Sequence, residues 1–278
     1  MIAHRFSQVD VFTDVVTLGN PVAVVHDADD LDDEQMAAFA RWTNLSETTF
    51  LLAPTDPGAD YRVRIFTPGR ELPFAGHPTL GTARAWLEAG GTPRDPDRVI
   101  QECGVGRVRI RRAGDRLAFA APDLIRGGPV DPAVVAEVAA GLGIDPADVR
   151  GAQWCDNGPG WVALLLSDAA AVLAVDRSDA RFGEHDKVGL IGPHPAGSDV
   201  AFEVRAFFPG GVGEDPVTGS LNAALAQWLM REGIAPDRYV AAQGAAIGRR
   251  GRVHLDRDGA DVWVAGDTVV GVTGHVTL

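Results

Sequence analysis

The sequence predicts an α+β fold of two pseudo-symmetric domains, each with a curled, mostly antiparallel sheet around a central helix. Three observations lead there. Strand-like runs, alternating or continuously β-branched, fill both halves of the 278-residue chain. Few stretches carry apolar residues at helical spacing. One stretch of the first half returns in the second. Long strand series interrupted by one strong helix per half suggest sheets wrapped around a helix rather than regular βαβ alternation.

Strands are predicted at residues 9–17, 22–25, 48–52, 61–67, 105–110 and 116–120, and again at 161–166, 200–208, 252–255, 261–265 and 269–277. Helices are predicted at 32–44, 78–90, 132–142 and 219–232. The first opens on an acidic cluster, Asp27, Asp29, Asp30, Asp32, Asp33 and Glu34. Carboxylates there cap free N–H groups and complement the positive end of the helix dipole. At this length two compact domains are expected. Their predicted bounds are residues 1–122, with a final strand near 269–278 completing that domain, and 123–268.

The repeat is the most informative feature. Arg64-Ile65-Phe66-Thr67-Pro68-Gly69 returns as Arg205-Ala206-Phe207-Phe208-Pro209-Gly210, offset by 141 positions. After a two-residue insertion Gly76 matches Gly219 and Gly90 matches Gly233, both offset by 143, with an apolar helix between each pair. A period this long is a domain duplication, not a solenoid. Related halves usually meet along a pseudo-twofold axis, so the repeated loops are expected to face one cleft between domains, a favoured place for a small ligand.

Composition bounds the function. The chain is 46% apolar and 23% charged, as for an ordinary globular protein, and its net charge is -13. A polyanion would be repelled, so neither nucleic acid nor an anionic membrane is an expected partner. No apolar run approaches the roughly 20 residues of a membrane span and the N-terminus lacks a signal peptide's core, so a cytoplasmic protein is expected. Cys103 and Cys155 are its two cysteines. Their separation fits neither a disulfide framework nor a zinc site, and both read as small core residues. Glu184, His185, Asp186 and His194 lack metal-site spacing and read as a surface loop. No metal and no cofactor is expected, and Walker, dinucleotide, GxSxG and HExxH patterns are absent.

Both repeated glycines stand where the chain turns into a helix, with Pro78 just inside the first and Ser220 as a capping residue at the second. Two helix N-termini aimed at one cleft would hold an anion, such as a substrate carboxylate, without Lys or Arg. Each glycine alone is also explained by a tight turn. Taken singly, His77 reads as a structural histidine, Asp215 as a turn acid before Pro216, and Glu47 as a solvated or capping carboxylate.

In sequence order, Gly19-Asn20-Pro21-Val22-Ala23-Val24, Ser46-Glu47-Thr48-Thr49-Phe50, Arg64-Ile65-Phe66-Thr67-Pro68, Phe74-Ala75-Gly76-His77-Pro78-Thr79 and Gly213-Glu214-Asp215-Pro216-Val217-Thr218-Gly219-Ser220 resemble the phenazine-biosynthesis isomerase family, PhzF. The match runs from about residue 9 to 230. The resemblance implies the diaminopimelate-epimerase fold, which agrees with the duplication. It places the catalytic acid and base on Glu47, assisted by His77 and Asp215. Gly76, Gly219, Ser220 and Asn20 would contact the substrate. It also implies a homodimer and an enzyme without metal or cofactor.

The chemistry implied is isomerisation of a small cyclic or unsaturated amino or hydroxy acid. Glu47 would take a proton from carbon and return it elsewhere, moving a double bond. A free glutamate, near pKa 4.3, is a feeble base toward carbon, so burial is expected to raise it. Two other readings compete. Racemases of this fold use paired cysteines, which would stand at Ala75 and Thr218 here, and neither residue can act as a thiolate. A non-catalytic carboxylate-binding protein would gain nothing from the further acids Glu47 and Asp215.

Overall fold

The structure, a computed structural model, describes residues 2–176, 185, 187–208 and 213–278. Pro209 and Gly210 of the repeat, Gly211 and two members of the acidic and histidine cluster, Glu184 and Asp186, lie outside the described residues. In chain order the elements are β1 (Ala3–Val11), β2 (Asn20–Val25), α1 (Asp33–Thr43), β3 (Glu47–Leu52), β4 (Tyr61–Phe66), β5 (Glu71–Leu72), α2 (Gly76–Glu88), β6 (Arg98–Cys103), β7 (Gly106–Ala113), β8 (Arg116–Ala120), α3 (Pro132–Gly141), β9 (Gly151–Cys155), β10 (Trp161–Leu165), α4 (Ala169–Ala174), β11 (Val188–Pro193), β12 (Phe202–Phe208), β13 (Gly213–Asp215), α5 (Gly219–Arg231), β14 (Arg238–Gln243), β15 (Gly251–Asp258), β16 (Asp261–Gly266) and β17 (Thr268–Thr277). The chain divides into two compact units, Met1–Ala120 with Ala265–Leu278, and Ala121–Val264.

In the first unit β1 lies antiparallel between β17 and β2, with a bulge between Gln8 and Val9. Strand β2 runs parallel to β3, and β3 antiparallel to β4. Strand β4 pairs antiparallel with β5 and parallel with β6, and β6–β7–β8 form a meander. In the second unit β9–β10 is antiparallel, β10–β11 parallel and β11–β12 antiparallel. Strand β12 then pairs antiparallel with β13 and parallel with β14, and β14 antiparallel with β15. The succession from β9 to β15 therefore repeats that from β1 to β7, far beyond the six-residue motif that betrayed it.

Crossovers join the parallel pairs, as parallel pairing demands. Helix α1 links β2 to β3; its Asp32 accepts the Gln35 N–H at 2.9 Å while Gln35 accepts the Asp32 N–H at 3.0 Å, a reciprocal cap. Asn44 ends it in the left-handed region. Helices α2 and α5, thirteen residues each, are the central ones: most of their residues are buried. Small residues let strands close over them. A Cβ on Gly81 would strike Val22 and Val11, and one on Gly189 would strike Leu221. Two buried threonines of α2 are satisfied inside, with Thr82 bonded to Thr49 at 2.8 Å and Thr79 accepting from Gln101 at 2.9 Å. The first unit's core runs through Val25, Met36, Phe39, Phe50 and Phe66, and the second's through Val138, Val162, Leu164, Leu190 and Phe207.

Cys155 is buried, and burial pushes its thiol up to about 12. Cys103 departs from the expected core position: it ends β6 half-buried, on a cavity of about 440 Å³ lined also by Arg62, Glu71 and Pro73. Neither Glu47 nor His77 lines that cavity. Among the described residues no helix is long and apolar enough to cross a membrane.

Candidate active site

The local fold explains how the first unit gathers its candidates. Parallel pairing sets Val22 of β2 beside Glu47, the first residue of β3, while His77 is the second residue of α2. Glu47 Oε2 lies 3.5 Å from His77 Nδ1, with side-chain exposures of 16% and 6%. This approach is not an ion pair. Burial lowers the imidazole from 6.5 to about 3, overcoming a hydrogen bond to Pro21 that favours the charged ring. Proline has no N–H, so its carbonyl must accept from the imidazole. Nε2 has no hydrogen-bond partner among the described residues, which assigns the single ring proton to Nδ1. Asn20, next to Pro21, is buried at the start of β2.

Gly76 opens α2, and a Cβ there would strike the ring of Phe119. Close packing accounts for this glycine without invoking a ligand. Gly76→Ala is expected to cost about 1–3 kcal/mol through overpacking, read as a lowered thermal midpoint. Phe119→Leu in the same background should recover part of the loss.

The second unit gathers Asp215, Gly219 and Ser220. Asp215 ends β13 and accepts from Thr218 Oγ1 at 2.6 Å. Gly219 opens α5. Ser220 does not cap that helix: Thr218 is the N-cap, and its hydroxyl serves Asp215 instead. The Ser220 hydroxyl accepts from Trp161 Nε1 at 3.1 Å, and its carbonyl from Asn157 at 2.9 Å. Ala75, the N-cap of α2, has no capping side chain either. Both helices therefore begin without a side-chain cap on their first-turn N–H groups.

Sequence reasoning missed the supporting groups. Gln243 of β14 bonds to Thr218 and Asn222, and Arg205 clamps Glu214 through two hydrogen bonds of 2.9 and 2.8 Å. The Arg205 signal was present: its counterpart Arg64 clamps Glu71 in the same bidentate way at 2.7 Å. Among the described residues no group of three His, Cys, Asp or Glu side chains is arranged to hold a metal. His194 sits 3.1 Å from Glu203, whose carboxyl is pushed up chiefly by burial.

Comparison with known proteins decides the family. Residues 9–277 match the sequence profile described as phenazine biosynthesis-like protein. The chain belongs to that family. The chain is 36% identical over 265 residues to Antisense-enhancing sequence 1 of Schizosaccharomyces pombe, covering 90% of this chain and 89% of the relative. It is 36% identical over 283 residues to the trans-2,3-dihydro-3-hydroxyanthranilate isomerase of Pseudomonas aeruginosa, covering 96% and 95%. A PhzF-family crystal structure from Enterococcus faecalis superposes with a TM-score of 0.81 at 25% identity, each chain covered in full. A probable proline racemase from Agrobacterium radiobacter, at TM-score 0.59 and 13% identity, shares the fold over 99% of this chain and 93% of its own. The predicted fold class, two duplicated α+β halves of the epimerase type, is thus the one observed. The family places the chain among isomerases.

Buried neutral histidines also set the acid response. His77, at about 3, and His26, lowered to about 4 mainly by burial, both titrate near 6.5 once unfolded. Below pH 6.5 the unfolded chain takes up protons that the folded one refuses. The stability these two confer is complete above 6.5 and is lost as pH falls toward 4 and 3. The urea midpoint should therefore fall across that window, and less steeply in His26→Gln.

Proposed function

We propose that this protein is a cofactor-independent isomerase that moves a proton and a double bond on a small cyclic carboxylate of the dihydro-hydroxyanthranilate type, with Glu47 as acid and base. The observation that carries the reading is the half-enclosed Glu47 carboxylate 3.5 Å from a buried, neutral His77. A neutral imidazole beside it does not fix a proton on the pair, which suits Glu47 to exchange a proton with carbon. His77, its imidazole lowered to about 3 by burial, orients and hydrogen-bonds rather than supplying charge. Asn20 and Gly76 in the first unit, and Asp215, Gly219 and Ser220 in the second, are the residues assigned to substrate contact. The uncapped starts of α2 and α5 suit a substrate carboxylate and the negative charge that develops as the proton leaves.

Thiol-based racemisation is disfavoured by the side chains present. Ala75 has no acid, Thr218 is committed to Asp215, and burial raises both cysteine thiols rather than lowering them. The test is turnover of trans-2,3-dihydro-3-hydroxyanthranilate in deuterium oxide, followed by NMR. Deuterium appearing at the carbon that gains the proton, with loss of the original C–H, is the expected result. An unchanged substrate spectrum at high enzyme concentration would sink the proposal for this substrate class.

A further inference from the structure

The second unit contains a chain of hydrogen bonds whose direction follows from donors that cannot be reversed. The Thr218 backbone N–H meets Gln243 Oε1 at 3.0 Å, and Asn222 Nδ2 meets the same atom at 2.9 Å. Asn222 Nδ2 also donates to the Thr218 carbonyl at 2.9 Å, so it too is a fixed donor. An atom that receives two donors is the amide oxygen, which makes the other end of Gln243 the NH2 group. That group donates to the Asp215 carbonyl at 3.1 Å and to Thr218 Oγ1 at 2.9 Å. The Thr218 hydroxyl, accepting from Gln243 on one side, donates its own hydrogen to Asp215 Oδ2, 2.6 Å away. Gln243, Asn222, Thr218 and Asp215 are all buried, so bulk water cannot replace a missing donor.

The first unit serves as an internal comparison. There Gln101 donates to Thr79, the counterpart of Asn222, and accepts from the Tyr61 hydroxyl at 3.0 Å. A buried glutamine thus ties strand to helix in both units. Leu72 and Ala75, however, stand at the offset positions of Asp215 and Thr218. The extended chain of donors exists only where there is an acid to receive it.

We propose that Gln243 is a positioning residue that fixes the Thr218 hydroxyl as a donor to Asp215, holding this side chain as an ionised acceptor. Its meaning for turnover rests on the assignment of Asp215 to the substrate site; the hydrogen-bond chain does not. The test therefore uses no substrate. Aspartates are labelled with carbon-13 at the carboxyl, the Asp215 signal is identified by its loss in Asp215→Asn, and its titration is followed by NMR.

Gln243→Leu removes the donor, and Gln243→Glu, ionised, turns the Thr218 hydroxyl toward itself. In each, Asp215 should titrate higher than in the wild type, because the Thr218 hydroxyl is no longer held as a donor to its charged form. Thr218→Val, which removes that hydrogen bond itself, should raise it further, by about one unit or more, and Thr218→Ser should restore the wild-type value. A purely structural glutamine would alter the melting temperature and leave the Asp215 titration in place. An unmoved titration in folded Gln243→Leu and Thr218→Val overturns the proposal. If Gln243→Leu does not fold, Gln243→Glu, nearly the size of glutamine, is read in its place, and an unshifted Asp215 there again overturns the proposal. A failed isomerase assay would leave this result standing, so the two readings fail separately.

Discussion

Glu47→Gln is expected to lower kcat by about 10²- to 10⁴-fold, the range that a positioned general acid or base supplies. The amide matches the carboxylate in size and can still hydrogen-bond, but it cannot take a proton from carbon. Glu47 sits at the first position of β3, half-enclosed, and its approach to His77 is to a ring that burial keeps neutral. The melting temperature and the dissociation constant for the substrate, measured by calorimetry, should therefore stay near the wild-type values. That split, chemistry lost and binding kept, is the signature of an interaction made only in the transition state. A variant whose kcat is unchanged removes Glu47 from the chemistry. His77→Gln should behave differently, with a smaller loss of kcat and no loss of a pH limb near 6.5, because His77 titrates near 3 in the folded protein.

How much of this was legible before coordinates depended on whether a residue's partner lay nearby in sequence. The central helices were readable because their apolar spacing and flanking glycines are local, and they begin within two residues of the predicted positions. Strand β1 was misplaced toward residues 9–17. Its real span, Ala3–Val11, carries polar residues that pair with distant ones, such as Ser7 with His26 at 2.9 Å. The apolar-looking end of the prediction is a turn instead: Phe12 and Thr17 have φ of 66° and 79°, and Thr13 folds back on Val15. Helix α4, six residues capped by Asp168, is too short to show a period. Among the candidate residues, the motifs named Glu47 and Asp215, yet nothing in the run Ala241-Ala242-Gln243 announces a residue bonded to Thr218, 25 positions earlier. The duplication shows the same limit: RxFxPG was visible, while the pairing order of seven strands that it stands for was not.

The duplication also supplies the sharpest stability prediction, because it places one interaction in two environments. Arg205 and Glu214 form a bidentate pair at exposures of 2% and 0%, with Arg205 also donating to the carbonyls of Val172 and Val175 at the end of α4. Arg64 and Glu71 form the same pair at 26% and 42% exposure. Each arginine also lies over the phenylalanine two positions on, at 4.9 and 5.1 Å from the ring centre. The bidentate geometry is thus nearly the same in both copies, while burial differs, and Arg64 also binds Asp33 at 2.6 Å, a second carboxylate that remains when Glu71 is changed. Removing one partner of a buried pair strands an uncompensated charge and costs about 3–5 kcal/mol, whereas an exposed pair is worth about 0–1 kcal/mol. Glu214→Gln should accordingly lower the thermal midpoint by roughly 10 °C, at the few degrees per kcal/mol usual for domains of this size. Glu71→Gln should move it by no more than about 3 °C. The double change Arg205→Met with Glu214→Leu should recover most of the loss, since two apolar side chains leave no buried charge, although the α4 carbonyls then lack their donor. Equal shifts for Glu214→Gln and Glu71→Gln would mean that desolvation does not separate the two copies, and the argument from burial would have to be abandoned.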